Sequence, residues 1–584
     1  MDSTQTTRHL LSVLIWFPAA AALFALFLPR QAPKVLRAYG VGVGLFLLGQ
    51  SLQLLVGSTH SIQSRTFRFV ENVEWIPAFG IRYHLGVDGI SLWLILLTTF
   101  LTPLTMYVSF GAIRNRQKEF IAAMLFLQSA MIGAFVSLDL FLFYTFWELM
   151  LVPMFLIIGV FGGKNSVYAA VKFFIYTFAG SVFMLLAILY MVAQYKTLSG
   201  HYSFDYQDLM RLGFPVSTER LLFAAFTLAF AIKVPMWPVH TWLPDAHTEA
   251  PTGGSMILAA IMLKLGTYGF LRFSLGLFPL AGHWIGPTVA LFACIGIIYG
   301  ALAAWRQYDF KRLVAYSSVS HLGFVMLGLS SRSATGVSGA IMQMINHGIS
   351  TGALFLLVGV LYDRRHTRDV AEFGGLARVM PWYSAVFVLV TMSSIGLPGT
   401  NGFIGEFLII TGTFGADLLR WSYHCIGTDC EVAQIGPWFA LLAVSGVILG
   451  AVYMLDVTQK VFFGPSTNPK NRDLTDLNSR EWAGIAPLVV AIFALGLFPM
   501  YFRDRIDPSV RSFLAVYNSK REALRDGGNA HMTPWLLEES ATTPPARDPG
   551  NGLAPPAEVP AAVPHATRAQ RSNELLVARG GLNP

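Results

Sequence analysis

Charged side chains are scarce in this chain of 584 residues. Asp, Glu, Lys and Arg together make up 13% of it, whereas soluble globular proteins carry roughly 25%. Hydrophobic residues account for 54%, and the mean hydropathy is +0.55. Apolar runs of about 20 residues, the length that crosses a bilayer, recur along most of the chain. The shortage of charge therefore argues against a soluble protein and predicts a polytopic membrane protein.

Cysteine is scarce as well. Three cysteines exclude a framework of several disulfides and a cysteine-based metal cluster. Cys425 and Cys430 flank four residues in a loop that we place outside the membrane, where a disulfide can persist. Two hypotheses stay open for this pair, a hairpin closed by a disulfide and two free thiols.

The apolar runs predict an all-α protein with about fourteen transmembrane helices. The first run is not followed by a small-residue cleavage signal, so we expect a retained helix and not a signal peptide. The expected spans are residues 9–29, 36–57, 88–110, 119–137, 139–161, 167–194, 219–240, 254–275, 282–304, 312–330, 338–361, 381–413, 436–463 and 482–502.

The basic residues of the short loops indicate the orientation. Most of them follow odd-numbered spans, as in the segments 114–118 and 364–368. Because Lys and Arg concentrate in cytoplasmic loops, we expect odd-numbered loops in the cytoplasm and both termini on the outer side. The net charge of +8 then reflects membrane topology and gives no reason to expect nucleic acid as a partner.

Spans seven and twelve share an interrupted design. Pro235 follows Lys233 in span seven, and the run SSIGLPGTNGFIGEF at 393–407 carries Glu406 in span twelve. A pair of broken helices in corresponding halves indicates an inverted repeat around an ion site in the membrane. The expected organisation is an N-terminal three-helix segment at 1–118, inverted five-helix repeats at 119–275 and 282–463, a last transmembrane helix at 464–502, and a Pro/Ala-rich extramembrane tail, largely disordered, at 503–584.

Four charged residues lie well inside apolar runs: Glu148, Lys233, Lys264 and Glu406. A charge at the bilayer centre costs from about 2.5 to over 10 kcal/mol, so such residues indicate function. Burial favours the neutral forms of lysine and glutamate, whereas a nearby opposite charge favours the charged forms. A lysine can therefore hold a proton beside its glutamate and release it when the two separate. We predict that Glu148 and Lys233 form such a pair.

Two histidines lie inside apolar spans among hydroxyl and amide side chains. His321 occurs in AYSSVSHLGF and His347 in IMQMINHGIST. A neutral imidazole accepts a hydrogen bond on one nitrogen and donates from the other, which suits a proton relay. The alternative is a hydrogen-bonded structural role for either one. Lys172, near the first turns of span six, is either an interfacial anchor or a further proton site.

A metal site is the competing hypothesis for the stretch after Lys233. Four ligand types occur there within ten residues: His240, Asp245, His247 and Glu249. However, prolines 238, 244 and 251 interrupt the helix that would align them, and no spacing such as HExxH is present. We therefore expect no metal and predict that this stretch forms a hydrated cytoplasmic end of span seven.

Four segments carry a family resemblance. KVPMWPVHTWLPDAHTEAPTGGSMILAAIMLKLGTYG, FWELMLVPMF, LGVDGISL and DFKRLVAYSSVSHLGF closely resemble the antiporter-like subunits of respiratory complex I, over roughly residues 80–500. Glu406 makes the chain similar to the M-type subunits of that family, which are equivalent to mitochondrial subunit 4. These subunits carry a glutamate on span twelve, whereas L- and N-type subunits usually carry a lysine there. The chain also lacks the long C-terminal lateral helix of the L type.

The resemblance implies a proton-translocating subunit of NADH:quinone oxidoreductase in the bacterial inner membrane, beside L- and N-type neighbours. It implies no cofactor in this chain, with NADH, FMN, iron–sulfur clusters and quinone in the rest of the complex. The family's proton relay falls on Glu148, Lys233, Lys264, His321, His347 and Glu406. The alternatives are a subunit of a multi-subunit sodium/proton antiporter and a subunit of a membrane-bound hydrogenase.

Overall fold

The computed structural model describes residues 9–56, 67–416, 420–426, 429–466, 468–525 and 531–532. The chain divides into two units, residues 1–534 and 535–584, and every described residue belongs to the first. Almost all regular structure in that unit is helical. The transmembrane all-α class expected from composition is therefore confirmed.

Seventeen helices of eight residues or more define the described architecture. They are α1 (Leu10–Ala25), α2 (Pro33–Leu52), α3 (Leu92–Ser109), α4 (Gln117–Val136), α5 (Leu140–Phe161), α6 (Ser166–Ser199), α7 (Val216–Lys233), α8 (Trp242–Glu249), α9 (Thr252–Leu275), α10 (Pro279–Trp305), α11 (Phe310–Ser331), α12 (Ala334–Arg365), α13 (Pro381–Ser394), α14 (Asn401–Phe414), α15 (Gly436–Phe463), α16 (Ser479–Leu497) and α17 (Pro499–Arg525).

Eleven helices of the described part are long and apolar enough to cross a membrane. Each of the fourteen expected spans overlaps a helix, but the count of fourteen is not confirmed. The first span contains only the 16-residue α1. Spans seven and twelve are divided into shorter helices, which lowers the number of continuous ones.

Span seven breaks immediately after Lys233, the last residue of α7. The helix resumes as α8 at Trp242, and the Trp242 indole Nε1 donates to the Ile232 carbonyl oxygen at 2.8 Å across the break. Proline cannot donate a backbone hydrogen bond and clashes with the preceding turn, which explains an interruption at Pro235. The sequence-based prediction of a broken helix here is confirmed.

Span twelve breaks between α13 and α14. Gly396 and Gly399 both have a positive φ, 76° and 91°, a conformation that is costly for residues with a Cβ. Asn401, at the start of α14, and Asn346, on α12, hold each other by two reciprocal hydrogen bonds. The Asn401 side-chain amide donates to the backbone carbonyl oxygen of Asn346 at 3.1 Å, and the Asn346 side-chain amide donates to the backbone carbonyl oxygen of Asn401 at 2.7 Å. These two bonds fasten the break to α12.

The helices differ strongly in how far other helices cover them. The most apolar 18-residue windows of α9 and α12 are 100% buried, and that of α11 is 94% buried. The window of α2 is 28% buried and that of α16 is 33% buried. The centre of the protein therefore consists of α9, α11 and α12, which carry three of the predicted relay residues.

The described residues contain three two-stranded antiparallel sheets outside the helices: β1 (Arg68–Ile76) with β2 (Ile81–Val87), β3 (Leu212–Gly213) with β6 (His531–Met532), and β4 (Arg420–Ile426) with β5 (Asp429–Gln434). In the last sheet Cys425 lies opposite Cys430 in the strand register. Their side chains fall outside the described residues, so the disulfide hypothesis stays open.

Residues 503–525 are not an extended tail, and the sequence-based boundary must be corrected here. They belong to α17, a helix of 27 residues. Buried apolar side chains recur in it at intervals of three and four residues, the period of one helix face: Ile506, Val510, Phe513, Leu514 and Tyr517. Its low hydropathy concealed this amphipathic pattern. The remainder of the predicted tail, residues 533–584, lies outside the described part of the chain.

Candidate functional site

The six predicted relay residues lie on six different helices. Glu148 belongs to α5, Lys233 to α7 and Lys264 to α9, while His321, His347 and Glu406 belong to α11, α12 and α14. Five of the side chains are buried, and Glu148 is half-buried. The charged residues that the sequence places in apolar runs are therefore enclosed by neighbouring helices instead of extending to the membrane surface.

Four of these residues form a buried group in the middle of the protein. The Lys264 Nζ lies 2.6 Å from His347 Nδ1, and His321 Nδ1 lies 3.2 Å from Glu406 Oε1. The centroids of the two imidazole rings are 5.8 Å apart. These contacts connect α9, α12, α11 and α14. We call the four residues Lys264, His347, His321 and Glu406 the central cluster.

A local irregularity of α9 positions Lys264. The residues Leu258–Met262 and Phe270–Leu275 form π-helical turns on either side of it, a feature that often occurs at functional sites. The ammonium group donates to the Ala259 carbonyl oxygen at 2.5 Å. Lys264 thus has one backbone acceptor and one imidazole partner, which satisfies part of its hydrogen-bonding capacity in an apolar region.

Amide and hydroxyl groups surround the acid end of the central cluster. Gln343 Nε2 donates to Glu406 Oε1 at 3.2 Å, and Ser394 Oγ lies 3.5 Å from His321 Nε2. A small cavity adjoins both histidines and is lined by Gln343, Asn346, Ser350, Thr351, Ser393 and Ser394. It has room for about one water molecule, which needs polar partners of this kind. Such a water could bridge the gap between the two rings.

Glu148 and Lys233 lie apart from the central cluster. They are close enough to interact electrostatically, but neither Lys233 Nζ nor Glu148 Oε1 has a hydrogen-bond partner among the described residues. The Lys233 side chain is 0% exposed. The predicted pair is therefore present in an open arrangement, with the two charged groups neighbouring and not in contact.

The polar stretch after the break of span seven does not converge on a common point. Asp245 pairs with Lys172 at 2.7 Å, and Glu249 Oε2 accepts from the backbone N–H of Asn165 at 3.0 Å. His247 stacks on Phe355, with ring centroids 4.6 Å apart. Because each side chain has a different neighbour, the stretch does not present the clustered ligands that a metal ion requires.

A second, larger cavity lies where α8 ends and α9 begins, bounded also by the ends of α5, α11 and α12. Its polar lining consists of Glu249, Thr252, Lys311, Tyr362, Asp363 and Arg368. The Lys311 ammonium is buried and donates to the Ala250 carbonyl oxygen. Charges of both signs line this cavity, which gives it the character of a hydrated entrance.

Sequence reasoning identified the titratable residues but missed several of their partners. Ser350, Ser393 and Asn401 form a hydrogen-bonded set, with Ser393 Oγ donating to Asn401 Oδ1 at 2.5 Å and Ser350 Oγ lying 2.7 Å from Ser393 Oγ. The available signal was the occurrence of small polar residues on the same spans as His347 and Glu406. That signal does not reveal which of them meet across helices.

Comparison with known proteins gives a consistent result. The family model described as "NADH:quinone oxidoreductase/Mrp antiporter, TM" matches residues 137–427, and "NADH-ubiquinone oxidoreductase chain 4, amino terminus" matches residues 49–134. NADH-quinone oxidoreductase subunit M of Rhodobacter capsulatus is 45% identical over 525 residues, covering 88% of this chain and 98% of that relative. Chain 4 of Marchantia polymorpha is 41% identical over 505 residues, covering 86% and 97%.

A solved structure agrees with these relatives. A chain in the respiratory complex I of Thermus thermophilus with bound NADH superimposes with a TM-score of 0.74 at 30% identity, covering 87% of this chain and 99% of that one. The fold and the buried ionisable groups define an antiporter-like subunit of a membrane-bound respiratory complex. More specifically, the chain belongs to the subunit M family of NADH:quinone oxidoreductase, whose mitochondrial members are called chain 4. The expectation of a complex I subunit is therefore confirmed, and neither alternative is needed.

Proposed function

We propose that Glu148, Lys233, Lys264, His321, His347 and Glu406 form the relay through which this subunit moves protons across the membrane. The observation that carries the proposal is the central cluster, a buried series of amine, imidazole, imidazole and carboxylate. Each group can accept and release a proton, and the separations are short enough for direct or single-water transfer. The small cavity beside the imidazoles supports a water at the widest gap.

In this proposal Glu148 and Lys233 act as the switch of the relay. When the carboxylate approaches, it favours the protonated form of the lysine; when the two separate, the buried ammonium becomes costly and its proton is driven toward the central cluster. The open arrangement of the pair supports a role in which its distance changes. The break after Lys233 supports the same role, because irregular backbone lets the end of α7 move without unwinding a continuous helix.

The proposed setting follows the family. The subunit lies in the bacterial inner membrane with both termini on the periplasmic side, so that the larger cavity faces the cytoplasm and supplies protons. L- and N-type subunits are its proposed neighbours in the membrane arm. NADH, FMN, iron–sulfur clusters and quinone belong to the rest of the complex, which drives the switch by electrostatic changes at its neighbours.

The first prediction concerns Lys233. Lys233→Ala removes the proton-carrying group of the switch, and we expect loss of NADH-driven proton uptake into vesicles while the complex still assembles. Glu148→Gln should behave alike, because an uncharged amide cannot hold the lysine in its protonated form. Proton uptake is measured by quenching of an acridine dye, and assembly by native gel electrophoresis with an NADH activity stain.

The matched control for this experiment is Lys460→Ala. Lys460 is an exposed lysine at the end of α15, paired with Asp456 at 2.7 Å, and its loss should leave proton uptake near the level of the unaltered complex. Normal uptake in assembled Lys233→Ala would refute the switch.

A further inference from the structure

Aromatic rings surround the Lys233 amine where hydrogen-bond acceptors would be expected. Its Nζ lies 5.1 Å from the centroid of the Trp147 ring and 5.5 Å from that of the Phe173 ring. Both distances fall within the range of about 6 Å in which a cation is attracted to a ring face. Nζ has no hydrogen-bond partner among the described residues, so the two ring faces and the nearby charge of Glu148 are the favourable surroundings that the structure shows for it.

Packing holds both rings in place. The Trp147 ring lies 5.4 Å from that of Phe230, which is one helical turn before Lys233 on α7. The Phe173 ring lies 5.4 Å from that of Trp242, the residue that spans the break by its bond to the Ile232 carbonyl oxygen. Both rings therefore pack against aromatic side chains on either side of the break that follows Lys233.

The two rings come from different helices. Trp147 lies on α5 and Phe173 on α6, and both are buried, at 1% and 0% exposure. Trp147 directly precedes Glu148 in the chain. One short segment of α5 thus presents both the carboxylate that can pair with the lysine and a ring that contacts it when the pair is open.

We propose that Trp147 and Phe173 form an aromatic cage that stabilises the Lys233 ammonium while it is separated from Glu148. The inference rests on the proposed switch. An ammonium without partners in the membrane interior is costly, and the negative faces of the two rings offset part of that cost. This attraction is weaker than that of a carboxylate, so the rings lower the cost of opening the pair while the separated ammonium still releases its proton to the central cluster. Both rings are positioning residues, because they act through Lys233.

A graded change of the Trp147 ring tests the cage. Fluorine atoms on the indole, introduced by site-specific incorporation, weaken the negative ring face with little change in shape. We expect NADH-driven proton uptake to fall stepwise with the number of fluorines, by about two- to fivefold for the most fluorinated ring, in complexes that assemble normally. Trp147→Leu should lower uptake further, and Trp147→Phe should restore part of it. Uptake that is constant along the fluorinated series would overturn the proposal.

The control places the same fluorinated residues at Trp93, a buried tryptophan whose ring packs 4.5 Å from that of Phe502. Uptake should be unchanged there, and an equal fall at both positions would refute a specific effect on Lys233. Lys233→Ala in the same preparation separates the two proposals. Normal uptake in Lys233→Ala refutes the switch itself, whereas lost uptake in Lys233→Ala with a flat fluorinated series refutes only the cage.

Discussion

Glu406 stands out at the scale of single residues, because two groups share one of its oxygens. His321 Nδ1 and Gln343 Nε2 both lie 3.2 Å from Oε1. The other oxygen faces Gly396 at the break of span twelve, where a Cβ would come within 3.0 Å of it. A carboxylate so placed can receive a proton from the imidazole on one side and lie against irregular backbone on the other.

Replacement of Glu406 by glutamine gives a residue-scale prediction. The amide keeps nearly the same shape but cannot take up a proton, so we expect proton uptake to fall by at least roughly tenfold. Glu406→Asp retains the acid on a shorter side chain and should preserve part of the activity. Initial rates of dye quenching in vesicles, normalised to the assembled complex, measure both. Full activity of Glu406→Gln would show that protons leave the central cluster by another route.

The four charged residues of the site could be predicted from one rule, that charge within an apolar run is too costly to be accidental. This rule identified Glu148, Lys233, Lys264 and Glu406 without any knowledge of the packing. Their mutual distances could not be predicted, because they depend on contacts between helices that are 80 or more residues apart in the chain, such as Lys264 with His347. The aromatic surroundings of Lys233 were hidden for the same reason.

At the scale of elements, α17 packs against the membrane helices where two buried ionisable residues of opposite charge lie, Lys520 and Glu219. Lys520 Nζ donates to the Leu277 carbonyl oxygen at 2.7 Å, and Glu219 accepts from the Leu280 and Ala281 amides at 2.7 and 3.1 Å. Burial lowers the pKa of Lys520, and the charge of Glu219 acts against that change. Glu219 lies in the first turn of α7, so α17 is coupled to the helix that ends at Lys233.

A double-mutant cycle tests this coupling. Lys520→Met alone leaves the Glu219 charge buried without its partner and should cost about 3–5 kcal/mol of stability. Combining it with Glu219→Gln removes the second charge, so the double variant should recover most of that loss. Thermal unfolding of the detergent-purified complex, followed by loss of this subunit, gives the midpoints. A double variant as unstable as the sum of the single ones would exclude a direct interaction.

Sequence patterns predicted the elements unevenly, for reasons that can be named. Long apolar runs predicted the continuous spans, and proline and glycine predicted the breaks after Lys233 and around Gly396 and Gly399. By contrast, α17 was missed, because a window of mean hydropathy detects a helix surrounded by lipid but not one with a single apolar face. The strand pairs in the connections had no strong signal either.

At the scale of the whole molecule, the helices are buried to very different extents: other helices enclose α9, α11 and α12, whereas most of the surface of α2 and α16 is exposed. Many large apolar side chains remain exposed on the open helices, including Leu45, Phe46, Val490 and Leu497. Lipid or neighbouring subunits must cover such a surface. Three residues of the proposed relay, Lys264, His321 and His347, therefore lie on the helices that are most shielded from the lipid.

The proposed orientation can be tested by labelling. In a variant without the native cysteines, His201→Cys should react with an impermeant maleimide added outside intact cells, because this exposed residue lies in an even-numbered loop. Lys164→Cys, exposed in an odd-numbered loop, should react only after the membrane is permeabilised. Mass shifts on denaturing gels report both reactions. The opposite pattern of labelling would place the termini in the cytoplasm.

The attachment of α17 has a consequence for biosynthesis. Lys520 follows Glu219 by 301 residues, and at a translation rate of about 5–20 residues per second it is made roughly 15–60 s later. For that time Glu219, already inside the membrane protein, lacks its basic partner. During that interval no basic side chain of α17 lies beside the Glu219 carboxyl, so this part of the fold is completed only after α17 has been made.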